Sequence, residues 1–235
     1  EAQEKGLPEL ARINARLIEH PPQTMREACQ WIAWFNIASR TYNRDGAGGQ
    51  LDTLLRPYYE KDKAEGRIDD DDAVFYLFCL LLNDPHYYQI GGPDESGADQ
   101  TSALSYLILQ AARLLKSTCN ITIRVHDGLP EALFDEGVRC LVEERQSFPR
   151  FSGDAALCSG FVKNGYPVEL ARRRIALGCN WMSLPGLEYC MNDLVKVNFA
   201  KVFEVAWKAA RCESTEALYR AFAEHLQKAV HITGQ

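Results

Sequence analysis

The sequence carries no excess of positive charge: 26 Lys and Arg stand against 32 Asp and Glu, a formal charge of −6, with no basic block anywhere. Phosphate recognition needs clustered Lys or Arg, so the composition argues against nucleic acid as the main partner. Long apolar runs are missing too. The longest, Ala73 to Leu82, is about half of what crosses a bilayer, so no membrane span is expected, and no signal-like stretch opens the chain. The eight cysteines stand at 29, 79, 119, 140, 158, 179, 190 and 212, and no two are three apart. That removes the C-x-x-C redox and zinc motifs. The five histidines form no H-x-x-x-H pair, and no metal site is expected. The patterns G-x-x-x-x-G-K-[ST], G-x-G-x-x-G and G-x-S-x-G are all absent, so the commonest phosphate, dinucleotide and serine-hydrolase sites are not supported.

What is present is an ordinary globular composition, 46% apolar and 25% charged, on 235 residues, enough for one large core or two small ones. Buried free thiols are the plain reading of most cysteines and suit a reducing cytoplasm. Helical spacing dominates. Residues 23–41 place Ala28, Trp31, Ile32, Phe35 and Ala38 on one face. After the glycine-rich 43–50 a short leucine-rich helix is expected to end at Pro57. The acids 69–72 precede the apolar run, where negative charge favours a helix start. Residues 101–117 carry a stripe of Leu104, Leu107, Ile108, Ala111, Leu114 and Leu115.

Strand signals are short: Asn120 to Val125 alternates, and 148–151 is a weaker candidate because of Pro149. Pro130 opens a helix near 131–145, and Pro167 opens one near 168–176 that Gly178 stops. Helices are expected over about 191–211 and 215–230, the second capped by Ser214. Short strands between helices predict an α/β layout.

One cysteine stands in an unusual place. Cys179 follows Gly178 and opens a loop containing Pro185 and Gly186, so it leaves a turn rather than a helix face. A thiolate nucleophile needs a His or cationic partner, and the next residues are Asn180 and Trp181. A thiyl radical has no such need. It requires a shielded thiol beside a substrate C–H bond. A cysteine hydrolase stays open only through a spatial neighbour such as His126, and ordinary packing remains the plain alternative.

Several stretches, in order and across nearly the whole chain, resemble the glycyl radical enzymes of the pyruvate formate-lyase superfamily. EACQWIAWFNIASRTYNRDGAGGQLDTLLRPYYEKDKAEGRI is similar to an "EA-Q" helix leading to "GR-D--L-P-Y--D---G", with Gly49, Asp52, Leu55, Pro57, Tyr58, Asp62 and Gly66 in place and Gln50 where Arg is usual. IGGPDESGADQTSALSYLIL resembles "IGG-D--G-DATN-LSYL-L", with Ser102 for Asn. NITIRVHDGLP is similar to "P-L-VR-H---P", with Asn120 for Pro. GDAALCSGFVKNGYPVELARRRIALGC resembles "ND---I--L---G---EDA-DYA--GC", with Gly153 for Asn.

The resemblance implies a helix-rich α/β fold, part of a ten-stranded α/β barrel of the glycyl radical enzyme type, with 1–235 a single barrel segment. It implies that Cys179 becomes the thiyl radical that abstracts hydrogen from a small-molecule substrate. Asp193, Trp181 and Asn180 are the implied substrate-binding residues, with Asp193 also readable as an acid near a helix start. Asn198 reads as structural. Trp181 stands two places after the cysteine, where the eliminating lyases carry their general-base Glu, and Cys179 is single where pyruvate formate-lyase has two adjacent cysteines. The substrate therefore stays unassigned.

The chain opens on Glu1, and no "RV-G[FWY]" loop precedes Gln235, so it is expected to be processed or an excerpt whose C-terminal glycyl radical domain is missing. No cofactor is expected to bind directly. The protein-based glycyl radical would come from that missing part, and the implied partners are a radical-SAM activating enzyme, the remainder of the polypeptide and a second copy in a homo-oligomer. The alternative is a truncated relative serving as a non-catalytic scaffold or binding subunit.

Overall fold

The computed structural model describes residues 2–41, 49–178, 181–184, 186–188, 197–211 and 214–233. The chain divides into two compact units, Glu1–Cys190 and Met191–Gln235.

In the first unit, helices and short strands alternate. The strands β1 (Gly49–Gln50), β2 (Tyr88–Gly91), β3 (Ile121–Val125) and β4 (Arg150–Gly153) form one sheet in that order, every pair parallel. Helices α3 (Leu51–Ala64) and α4 (Asp70–Asn83) connect β1 to β2, α5 (Ala103–Leu114) connects β2 to β3, and α6 (Glu131–Val142) connects β3 to β4. Parallel neighbours require such crossovers, because a tight turn cannot reverse the chain twice. Ahead of the sheet lie α1 (Pro8–Glu19) and α2 (Met25–Ser39); after it come α7 (Asp154–Lys163), α8 (Val168–Arg172) and an antiparallel hairpin, β5 (Ile175–Leu177) with β6 (Trp181–Ser183).

The two faces of the sheet differ in chemistry, because strand side chains alternate. One face carries Tyr88, Ile90, Ile121, Ile123 and Phe151 into the main core with Met25, Leu51, Leu77 and Leu104. Helix α6 lies so close that a Cβ on Gly137 would sit 2.7 Å from Ile123 Cδ1. The other face is polar and is described below.

Local capping follows the sequence. Asp69 accepts from Asp72 N at 2.9 Å while Asp72 returns a bond to Asp69 N at 3.2 Å, a complete capping box at α4. Asp62 accepts from Met25 N at 2.7 Å at the start of α2 and also pairs with Arg67. Asp52 is fully buried and accepts from Gly91 N at 2.7 Å, Ser105 Oγ at 2.6 Å, Thr53 N at 2.8 Å and Gln50 Nε2 at 2.9 Å. Burial pushes its pKa up, and those four donors oppose the shift. Gly91 and Gly92 take φ of +64° and +88°, and a Cβ on Gly92 would meet the Arg124 side chain at 2.7 Å.

Several expectations change. Helix α3 runs through Pro57 to Ala64 instead of ending there; burial of Leu55, Tyr59 and Asp62 outweighs the lost N–H bond. On α2 the buried side is Met25, Ala28, Cys29, Ala33 and Asn36, whereas Trp31 and Phe35 are exposed. The Asn36 amide, donating to Tyr88 Oη at 2.9 Å, belongs to that buried side. On α5 Leu109 and Ala112 are buried in place of Leu114. The segment after Pro167 is not one helix: α8 stops at Arg172 and residues 175–177 are strand β5, so Gly178 ends a strand.

The second unit contains α9 (Phe199–Ala210) and α10 (Thr215–Thr233). Asn198 accepts from Lys201 N at 2.9 Å and Ser214 from Ala217 N at 3.0 Å, N-caps that fix where both helices begin. Phe222 of α10 meets Phe203 of α9 at a ring separation of 5.9 Å. Among the described residues no helix is long and apolar enough to cross a membrane.

Candidate active site

The polar face of the sheet is a row in register. Gln50 pairs with Gln89, Gln89 with Thr122 and Thr122 with Arg150, so one position on each of four parallel strands presents a polar side chain to the same side. One step further along the strands, Gly91, Arg124 and Ser152 form the next row.

Hydrogen bonding gives the first row a direction. Gln50 donates its amide to Asp52 at 2.9 Å and to the Gly91 carbonyl at 2.6 Å, which leaves its oxygen to accept from Gln89 Nε2 at 2.7 Å. Gln89 Nε2 spends its other hydrogen on the Arg174 carbonyl at 2.9 Å, and Gln89 Oε1 accepts from Ala176 N at 2.9 Å. A glutamine side chain thus pairs with a strand's backbone as another strand would. At the far end of the row, Arg150 donates to Thr122 Oγ1 and to the Gly178 carbonyl, both at 3.0 Å.

Hairpin strand β5 therefore lies on the polar face, running against the sheet. Arg174, the residue just ahead of it, is fully buried, donates to Ser152 Oγ at 3.3 Å and pairs with Asp154, at the carboxyl end of β4. Gly178, four residues on, is held by Arg150 at the beginning of β4. Asp154 also takes two bonds from buried Arg124, Nε at 3.1 Å and Nη2 at 2.6 Å. Burial pushes the Arg174 pKa down, and the attraction of Asp154 opposes it.

A second feature lies beyond the carboxyl ends of β2, β3 and β4, the usual ligand side of a parallel sheet. It is a cavity of about 250 Å³ lined by Pro93, His126, Asp127, Asp154, Cys158 and Arg172 among others. His126 Nε2 lies 2.9 Å from Asp99 Oδ1, and Asp99 is fixed by Thr101 N and Oγ1 at 3.0 Å each. The Cys158 thiol is pushed up by burial, so it is not a ready nucleophile. The cavity and Gly178 are at opposite ends of β4, separated by about 13 Å of strand.

Of the residues singled out in the sequence, Cys179, Asn180 and Asp193 lie outside the described residues. Trp181 opens β6, paired with Leu177, and is 37% exposed, so it is not closed into the core. Asn198 is an N-cap, the structural role read for it. His126 pairs with Asp99. No group of three or more His, Cys, Asp or Glu placed to hold a metal occurs among the described residues. Sequence reading passed over Gln89, Thr122, Arg150, Arg174 and Asp154. A signal existed: in β2 and β3 the polar Gln89, Thr122 and Arg124 alternate with apolar neighbours, which marks a second, polar-faced side.

The family model described as pyruvate formate lyase-like matches residues 1–228, and the chain belongs to that family. Among curated relatives, an isethionate sulfite-lyase of Nitratidesulfovibrio vulgaris is 27% identical over 227 residues, 86% of this chain and 27% of that protein. A (2S)-3-sulfopropanediol dehydratase of Klebsiella oxytoca is 25% identical over 221 residues, 83% of this chain and 26% of its own length. The chain thus spans about a quarter of the length of these relatives. Among solved structures, one concerned with 1,2-propanediol dehydration in Roseburia inulinivorans has a TM-score of 0.83 at 21% identity, covering 95% of this chain and 33% of that one. The B12-independent glycerol dehydratase from Clostridium butyricum has a TM-score of 0.81 at 22% identity, covering 97% and 34%. At those identities the likeness establishes the fold: a helix-rich α/β arrangement on a parallel sheet, as in the barrel domains of glycyl radical enzymes.

Proposed function

We propose that this chain is a barrel segment of a glycyl radical lyase acting on a small molecule, with Cys179 as the hydrogen-abstracting residue. The observation that carries the reading is the attachment of Gly178, the residue before Cys179, to Arg150 on the polar face of the parallel sheet. The polar side chains of that face hold the hairpin whose first strand leads to Cys179. The family match and the dehydratase and sulfite-lyase relatives support the reaction class.

In this reading a glycyl radical, stored on the remainder of the polypeptide and installed by a radical-SAM activating enzyme, would take the hydrogen atom of the Cys179 S–H bond, forming a C–H bond at the glycine and leaving the unpaired electron on sulfur. The Cys179 sulfur, as a thiyl, forms an S–H bond while the substrate C–H bond breaks and the radical passes to carbon. Trp181 cannot accept a proton, so this segment brings no base at the place where the resemblance leads one to expect Glu.

The test uses the natural gene product, isolated without air and treated with an activating enzyme. Expected are an intact mass several times 26.5 kDa, a glycyl radical signal by electron paramagnetic resonance, and transfer of deuterium from labelled diol or hydroxysulfonate candidates that Cys179→Ala abolishes. A mass near 26.5 kDa with no radical on any partner subunit would overturn the reading in favour of a scaffold.

A further inference from the structure

We infer that Gln89 and Arg150 are positioning residues for Cys179. They hold the backbone of residues 174, 176 and 178, immediately ahead of it; the inference rests on the reading of Cys179 as the reacting residue.

The geometry leaves few alternatives for these two side chains. Gln89 is completely buried on a central strand, yet it makes no bond to its neighbouring strands through its amide other than to Gln50. Its remaining hydrogen and its oxygen both go to the backbone of residues 174 and 176. Those are alternate positions of the stretch that enters β5 and continues into it, so one amide replaces two bonds of a ladder. The amide cannot rotate to the reverse sense. Gln50 is itself oriented by the Gly91 carbonyl, which can only accept, and by Asp52, so the Gln50 oxygen must face Gln89. The direction of the whole chain of bonds, Asp52 to Gln50 to Gln89 to β5, is fixed at its buried acidic end.

Arg150 acts two residues later in the hairpin. One nitrogen is spent on Thr122, its in-register neighbour, and another on the Gly178 carbonyl. Gly178 has φ of +58°, a conformation that glycine adopts without strain, so the direction in which the chain leaves β5 is defined there. Two side chains from two strands thus hold three successive alternate backbone positions, 174, 176 and 178, immediately ahead of Cys179. A strand of three residues with one partner strand of equal length does not order itself; this one borrows its order from the sheet.

The test reads the thiol directly and needs no radical. In the unactivated natural gene product, timed N-ethylmaleimide labelling with peptide mass mapping gives the rate at Cys179 beside that at Cys158. Arg150→Met and Gln89→Met keep side-chain length and remove the bonds. Each is expected to change the Cys179 rate by about tenfold while Cys158 stays within about twofold. Arg150→Lys, which can still donate to Gly178, is expected to return most of the wild-type rate. Cys179 rates within twofold of wild type in both Met variants would overturn the inference, and so would Cys179 and Cys158 rising together in both. Failure of the radical reading is separate: it appears as no radical and no deuterium transfer, whatever the labelling rates do.

Discussion

Arg124 grips Asp154 with two nitrogens, at 3.1 and 2.6 Å, and the same carboxylate pairs with Arg174, so one acid answers two buried arginines drawn from β3 and from the approach to β5. Arg124 and Asp154 are 4% exposed at the side chain and Arg174 is 0%. Asp154 therefore joins the sheet to the hairpin. Asp154→Ala leaves both guanidinium groups without their acid, and the loss is expected to reach about 3–5 kcal/mol or to prevent folding. Urea denaturation followed by circular dichroism measures it. A change under about 1 kcal/mol would mean the pair is solvated in the folded protein.

Glu27 predicts an acid-side weakness. Its pKa is lowered, first by the hydrogen bond from Arg16, against an opposing effect of burial. A depressed folded pKa means a contribution to stability that is present above the ordinary carboxylate range and fades as pH falls through the lowered value. The melting temperature should drop on acidification, and Glu27→Gln should flatten that drop while costing roughly 1–3 kcal/mol near neutrality. An unchanged acid slope in the variant would assign it to other carboxylates.

Two cysteines should be inert. Burial pushes Cys29 and Cys119 up to about 12, so at pH 8 almost none of either is thiolate. Alkylation of the native protein should modify them more than about 100-fold slower than after denaturation. Rapid native labelling of either would show that the core around α2 or the start of β3 opens freely.

Gly92 should tolerate no side chain. With φ at +88° and Arg124 atoms 2.7 Å from where a Cβ would stand, Gly92→Ala is expected to destabilise by roughly 2–4 kcal/mol. Pairing it with Arg124→Ala should recover part of that loss, measured as a double-mutant cycle.

Much of this architecture is legible in the residues. The alternation of 120–125, the acids before the apolar run and Ser214 before the last helix each act through neighbours a few positions away, and each appears where it should. What failed is what depends on distant partners. Residues 175–177 are apolar and follow a proline-started helix, so they read as its continuation; they are strand instead, paired with β6 and held at Ala176 by Gln89, 87 residues earlier. Trp31 and Phe35 looked like core because spacing cannot say which of two apolar sides of α2 meets Tyr88. Cys179 itself lies outside the described residues; the residues that hold the backbone ahead of it, Gln89 and Arg150, lie on two strands and share no motif.

The reach of Gln89 also orders events in time. The sheet joins strands that follow one another along the chain, so each can dock soon after it is made, whereas the bonds to Arg174 and Ala176 span 85 and 87 residues. Closing so long a loop is slow and comes late. During synthesis the bonds from Gln89 and Arg150 to the hairpin cannot form until residue 178 has emerged. The hairpin is thus expected to be laid onto a sheet whose four strands have already been made.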